Sequence, residues 1–230
     1  MQRMIGVRTA AAYRAMRVAW PQWLALACAL LAVAPQAGAG EAAGGRFQDA
    51  AGWASRFDDP ARDAWQKPDE VLRALALPRD AIVADIGSGT GYFAARLARA
   101  LPQGRVYGAD IEPEMVRHLA LRAKEEKLDN LRSIPATRDS PQLPEPVDLV
   151  LLVNVQGLVV NPGDYFARLR ASLKPGGRVA IIAQRPDAPF GPPAAMRAPA
   201  EQVRRDMARQ GYTLDAEHDF LPYQYFLVFR

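Results

Sequence analysis

From residue 69 onward, short apolar runs alternate with amphipathic stretches, and the alternation predicts the elements. Asp69 opens a helical pattern with Val71, Leu72, Leu75 and Leu77 on one face, and Pro78 ends it. Ala81 to Ile86 predicts a short strand. Gly91 to Leu101 predicts a helix carrying Phe93, Leu97 and Leu101 at i, i+4 and i+8. Arg105 to Ala109 predicts a strand, Glu112 to Lys127 a charged amphipathic helix, and Leu131 to Pro135 a short strand. Val147 to Val153 is apolar at almost every position, the pattern of a strand buried on both faces. Asp164 to Leu173 predicts a helix stopped by Lys174-Pro175-Gly176-Gly177, followed by a strand at Arg178 to Ala183. After a loop at 186–199 with five prolines come a helix at Glu201 to Gln210 and strands near Thr213 to His218 and Tyr223 to Phe229. Such a pattern predicts a doubly wound α/β sheet of about seven strands, mostly parallel, with helices on both faces. The link from Asp219 to Pro222 is too short for a parallel crossover, so the last strand is expected to run antiparallel.

Two segments precede this pattern. Residues 1–39 hold Arg3, Arg8, Arg14 and Arg17 and no acid; an apolar run from Trp23 to Ala34 and a small-x-small triplet, Ala37-Gly38-Ala39, follow. Those three parts make a secretory signal peptide. The apolar run is 12 residues, short of the roughly 20 that span a bilayer as a helix. Cleavage there implies a periplasmic or secreted protein. The alternative is an uncleaved leader that anchors the chain, which would then be its sole membrane contact. Residues 40–68 form an extension, polar and aromatic from residue 47, with Trp53 and Trp65.

Charge then narrows the function classes. The formal charge of +4 comes from the leader, since the rest of the chain holds 25 basic and 25 acidic residues. No Lys/Arg stripe remains to track a phosphate backbone, so nucleic acid is not an expected partner. With Cys28 the single cysteine and His118 and His218 the two histidines, no Cys-rich or multi-histidine metal centre is expected. Nothing in the sequence fixes an oligomeric state.

The chemistry concentrates in VADIGSGTGYF, Val83 to Phe93. A strand ends, Gly87, Gly89 and Gly91 alternate, and a helix begins. Glycine lets the chain turn tightly and approach a ligand closely, and the helix start presents amides to it. Asp110 ends the second strand, 19 residues after Gly91, where a carboxylate can accept both hydroxyls of a ribose. NAD enzymes share that arrangement, but their loop reads G-x-G-x-x-G and this one reads G-x-G-x-G. Asp85, just before the first glycine, would repel a diphosphate and suits a ligand that carries an amino group.

DIGSGTG, ADIEPEM, DLVLLVN (Asp148 to Asn154) and LKPGGRVAII (Leu173 to Ile182), in this order, resemble the successive motifs of class I S-adenosylmethionine-dependent methyltransferases. The resemblance covers about residues 55–230 and implies the Rossmann-like form of the doubly wound sheet. FDDPARDAWQKPDEV (Phe57 to Val71) and HDFLPYQYFLVF (His218 to Phe229) are similar to a smaller bacterial subgroup, often with export signals. The resemblance implies S-adenosylmethionine as cofactor. Asp85, Gly87, Ser88, Gly89 and Gly91 would hold its methionine part, Asp110 its ribose, Ile111 its adenine face, Ala136 and Thr137 the adenine edge, and Asn154 would lie beside the methyl donor. Trp65, Gln66, Gln156, Tyr223 and Tyr225 are candidates for the substrate pocket, with residues 40–68 forming part of its roof and residues 69–230 the methyltransferase domain.

The subgroup often carries Tyr-His-His where Gln156, Gly157 and Leu158 stand here, so no candidate base is evident and no catalytic residue is assigned. Methyl transfer from a sulfonium is an in-line displacement with a neutral leaving group, and positioning supplies much of its rate. A base is needed only for a nucleophile that arrives protonated. The expected function is methyl transfer to a small-molecule acceptor. The alternative is an exported, non-catalytic module that keeps the fold.

Overall fold

Seven apolar runs come together in a single sheet in the computed structural model, which describes residues 49–155 and 161–230. The strands are β1 (Ile82–Ile86), β2 (Arg105–Asp110), β3 (Leu131–Pro135), β4 (Val147–Val153), β5 (Leu173–Gln184), β6 (Leu214–His218) and β7 (Gln224–Phe229). Their spatial order is β3-β2-β1-β4-β5-β7-β6. β1 to β5 pair in parallel, and β7 runs antiparallel to both β5 and β6. The expected antiparallel last strand is thus present, inserted beside β5 rather than left at the edge.

Two apolar layers cover the sheet. On one face, α3 (Pro68–Leu75), α4 (Tyr92–Ala100) and α5 (Pro113–Glu125) bury Val71, Leu75, Leu97 and Leu119 against Val83, Val106, Leu149 and Phe226. On the other, α6 (Pro162–Arg170) and α7 (Ala200–Arg209) bury Phe166, Leu169, Val203 and Met207 against Ala84, Val150, Ile181 and Leu227. Alternate residues of one strand serve opposite faces, as the strand period of two requires. All seven positions of β4 except Asp148 and Val153 are buried, which its unbroken apolar sequence anticipates.

Two local differences from the sequence reading have physical causes. The helix after β4 ends at Arg170 rather than Leu173, and Leu173 already pairs with Val147. The Lys174-Pro175-Gly176-Gly177 turn is therefore an excursion inside β5 and not a helix stop. The pairing resumes at Leu149 and Arg178 after a register shift. Gly176 takes φ +78°, and a Cβ on Gly177 would lie 3.0 Å from the Val147 carbonyl oxygen. The second difference is helical structure between residues 50 and 66. Here α1 (Ala50–Phe57) is capped by the Asp49 side chain on the Gly52 amide, and a 3-10 turn (Pro60–Arg62) leads into the single-turn α2 (Asp63–Gln66). Lys67 at φ 45° breaks the chain direction, and Pro68 at the first position restarts it as α3.

Candidate functional site

Parallel sheets of this kind bind ligands beyond the carboxyl ends of their strands, where the strand order reverses. Here that point lies between β1 and β4, and it carries the glycine loop. The Gly87 and Ser88 amides both donate to the Ala109 carbonyl (2.8 and 3.2 Å), which ties the loop to the end of β2. Gly87, Gly89 and Gly91 take φ of +69°, +54° and +93°, the region where a Cβ is strained. Their surroundings differ. A Cβ on Gly87 would sit 2.2 Å from Val155 Cγ1, and one on Gly91 2.3 Å from Leu119 Cδ1. Leu119 also lies 2.2 Å from the Cβ position of Gly108, so this leucine wedges between the first two βα units. A Cβ on Gly89 would instead lie 3.4 Å from the Phe57 ring of α1, an ordinary contact distance. Beside it, the hydroxyls of Ser88 and Thr90 are buried and have no hydrogen-bond partner among the described residues.

Charged groups gather around this loop. Asp85 is buried at the end of β1, and desolvation pushes its carboxyl up to about 7, against the attraction of Arg62 and with a push from Asp110. Arg62 lies over the Tyr92 ring, 3.8 Å from its centroid, and Arg96 covers the same ring at 4.0 Å. Burial lowers the Arg62 pKa, and the charges of Tyr92, Asp58 and Asp85 oppose that shift. Tyr92 Oη donates to Asp63, which also pairs with Arg96 at 2.9 Å. Arg122 of α5 completes the attachment of the N-terminal segment, donating to Asp58 (2.8 Å) and to the Thr90 carbonyl (3.0 Å).

Asp110 ends β2 with both carboxylate oxygens engaged. Oδ2 accepts from the Gly89 amide (2.8 Å) and Oδ1 from the Glu112 amide (3.0 Å). Each oxygen keeps a second lone pair. Burial raises the Asp110 pKa, against its backbone hydrogen bonds. Ile111, the next residue, is 45% exposed, an apolar side chain open beside a buried carboxylate. The Ala136 amide donates to the Asp110 carbonyl (2.8 Å), which brings the turn after β3 to the end of β2. Thr137 is exposed in a local turn, bonded to Ser140 by its amide and its hydroxyl.

The β4 side is built from amides. Asn154 takes φ +59°, and its amide donates to the Ile182 carbonyl (2.8 Å). Its Oδ1 accepts from Gln224 Nε2 (2.9 Å), Gln224 Oε1 accepts from Gln66 Nε2 (2.6 Å), and Gln66 Oε1 accepts from Arg62 Nε (3.0 Å). Gln66 and Gln224 are fully buried. Of the pocket candidates, Trp65 packs edge-on against Phe190 of the proline loop (4.8 Å), and Phe190 packs on Tyr223 (5.1 Å). Tyr225 is buried and donates to the Ala198 carbonyl (3.1 Å). Gln156, with Gly157 and Leu158, lies outside the described residues, as does the leader.

A family profile described as a methyltransferase domain matches residues 84–179. The chain is 31% identical over 105 residues to malonyl-[acyl-carrier protein] O-methyltransferase of Hahella chejuensis, covering 44% of this chain and 35% of that protein. It is 34% identical over 136 residues to trans-aconitate 2-methyltransferase of Rhodopseudomonas palustris, covering 57% and 48%. It thus spans less than half the length of these curated relatives. Among solved structures, a SAM-dependent methyltransferase from Aquifex aeolicus superposes with a TM-score of 0.73 at 22% identity, over 79% of this chain and 97% of that one. Residues 84–179 thus match a methyltransferase domain, and the fold is the Rossmann-like one of S-adenosylmethionine-dependent methyltransferases.

Two residues near the site, Arg62 and Gln224, fall within the quoted stretches Phe57 to Val71 and His218 to Phe229, which assign them no role. Arg62 sits in a polar stretch with no periodicity, and only its place over the Tyr92 ring marks it. Gln224 is the polar residue that opens an otherwise apolar, fully buried strand. That mismatch is the sequence signal that could have found it.

Proposed function

We propose that this chain transfers the methyl group of S-adenosylmethionine to a small-molecule acceptor by in-line displacement. One observation carries the reading: a left-handed glycine loop follows the buried Asp85, and Arg62 lies over the ring of Tyr92, the first residue of the helix that the loop opens. The residues fit the cofactor in other respects. Asp85 suits its ammonium and Arg62 its carboxylate, and the unpartnered Ser88 and Thr90 hydroxyls add polar capacity. Asp110 retains lone pairs for ribose hydroxyls, and Ile111 offers an apolar face for the adenine, with Ala136 and Thr137 at its edge. When bound, the cofactor supplies a methyl group activated by positive sulfur. The chain's own part is to hold that methyl in line and to keep Asn154 oriented beside it through Gln224.

A small-molecule acceptor is supported by the absence of a basic stripe outside the leader. The names of the relatives, with a malonyl group and trans-aconitate as acceptors, point the same way. The test is calorimetric titration of the full chain with S-adenosylmethionine and S-adenosylhomocysteine, alongside Asp110→Ala. Micromolar binding lost in the variant is expected; no binding to folded protein would sink the reading. We also propose that residues 1–39 direct export. Sequencing the amino terminus of protein recovered from the envelope checks this, and a start near Gly40 is expected.

A further inference from the structure

A second recess opens at the carboxyl ends of β4 and β5, against the proline loop, with Asn154, Gln184, Met196, Arg197 and Tyr225 in its wall. Asn154 joins it to the site already described. Arg197 is the one cation among the described residues of its wall. The Arg197 Nε donates to the Pro192 carbonyl (2.7 Å), and Nη1 donates to the carbonyls of Ala188 (2.6 Å) and Pro186 (3.2 Å). These bonds fix the guanidinium without neutralising it. Nη2 has no partner among the described residues, and no described carboxylate lies within ion-pair distance. Ten other arginines, such as Arg96 and Arg122, do have such a carboxylate. A held guanidinium that keeps its full charge and a free pair of N–H donors is a binding group for a planar anion.

Among the described residues that line the recess there is no Asp, Glu, His, Lys or Cys. Tyr225 gives its proton to the Ala198 carbonyl, and burial pushes its phenol up, away from ionisation. The Asn154 oxygen is taken by Gln224. An acceptor that must lose a proton would find nothing in this wall to take it.

We infer that this recess is the acceptor subsite, that Arg197 holds a carboxylate of the acceptor there, and that the product is a methyl ester. This rests on the methyltransferase reading. One carboxylate oxygen accepts from Nη2 while the lone pair of the other forms the O–C bond to the methyl group. The S–C bond breaks and its electron pair stays on sulfur. The negative charge of the carboxylate and the positive charge of the sulfonium vanish together, the leaving thioether is neutral, and no proton moves. The absence of a base among the described lining residues is then what the reaction requires.

The test has a binding arm and a transfer arm, both on the full chain. In the first, protein saturated with S-adenosylhomocysteine is titrated with sodium acetate and sodium succinate. Sodium chloride at equal ionic strength is the control, and the Arg197 Nε–H resonance is followed by NMR. A saturable shift with the carboxylates and none with chloride is expected. Met196→Glu, which sets a competing carboxylate beside Arg197 without touching its carbonyl bonds, weakens the carboxylate effect about tenfold or more and leaves cofactor binding unchanged. Arg197→Lys keeps the charge, loses the fork, and falls between. In the second arm, S-adenosylmethionine labelled in the methyl group is offered with mono-, di- and tricarboxylic acids and with their amides. Label is expected in acids alone, released as volatile methanol by mild alkali. No carboxylate-specific shift, an alkali-stable product, or transfer to no acid by protein that binds the cofactor overturns the inference. Failure to bind S-adenosylhomocysteine overturns the methyltransferase reading beneath it instead.

Discussion

On the β1–β2 side of the site, the groups proposed to touch the cofactor lie within residues 85–111, apart from Arg62 and the turn at Ala136 and Thr137. On the β4–β5 side, the walls draw on Gln66, Asn154, Gln184, Arg197 and Gln224, spread across the chain. The first side is held by backbone: left-handed glycines, amides on carbonyls, and a carboxylate on two amides. The second is held by side-chain amides that find each other over 158 and 70 residues of sequence. A site assembled from one continuous βα unit tolerates little change at any position. One assembled from distant side chains can be rebuilt residue by residue. The difference suits a constant cofactor and a variable acceptor.

Five substitutions would break or sharpen that comparison. Asp110→Ala removes the acceptor of the Gly89 amide together with the proposed ribose contact. Its effect should be the largest, about a hundredfold or more in cofactor affinity, on the order of 3 kcal/mol by calorimetry. The backbone-held side should prove brittle at Gly87 as well. Gly87→Ala meets Val155 at 2.2 Å and strains φ +69°. About 2–3 kcal/mol of stability should be lost in urea denaturation.

On the other side, Gln224→Leu leaves Gln66 Nε2 and the Asn154 oxygen without their partner. It should cost about 2 kcal/mol. A double-mutant cycle with Gln66→Leu should return part of that cost, because it removes the stranded Gln66 amide, and only part, because the Asn154 oxygen stays without its partner and Arg62 Nε loses its acceptor. If cofactor affinity fell as far as in Asp110→Ala, the two sides would not be separable.

Asp85 links both sides to pH. Its folded pKa, about 7, exceeds its ordinary value of 3.8. The folded state therefore holds this proton through the interval in which the unfolded chain has lost it. Stability falls as pH rises from about 4 to about 7 and is level above. Asp85→Asn should flatten that slope and raise stability at pH 8 by roughly 1–2 kcal/mol. It should also weaken cofactor binding, which in the wild type strengthens as the carboxylate ionises through pH 7. A variant less stable at pH 8 would show that the attraction to Arg62 outweighs desolvation.

The legibility of the sequence divides along the same line. The glycine loop, Asp110 and all seven strands could be anticipated because their signals are local: apolar runs, and glycines between a strand and a helix. The single-turn α2 and the 3-10 turn at Pro60–Arg62 carry no period to read. Phe57 and Arg62 gain meaning only from Gly89 and Tyr92, which lie far along the chain. Lys174-Pro175-Gly176-Gly177 has the composition of a helix stop, and its place inside β5 depends on pairing with β4. Arg197 sits among prolines and alanines, and nothing nearby in sequence distinguishes it from a solvated loop arginine.

The insertion of β7 between β5 and β6 has a consequence for the order in which the protein becomes competent. A chain emerging from the ribosome lays down the glycine loop, Asp110 and Asn154 long before residue 224 exists. Until then Gln66 and the Asn154 oxygen lack their buried partner, and the edge of β5 lies open. The cofactor side can form early, from local contacts, while the acceptor side waits for the slow, long-range closure of the sheet. A chain that stops before residue 224 keeps the glycine loop and lacks the buried amide link that runs through Gln224.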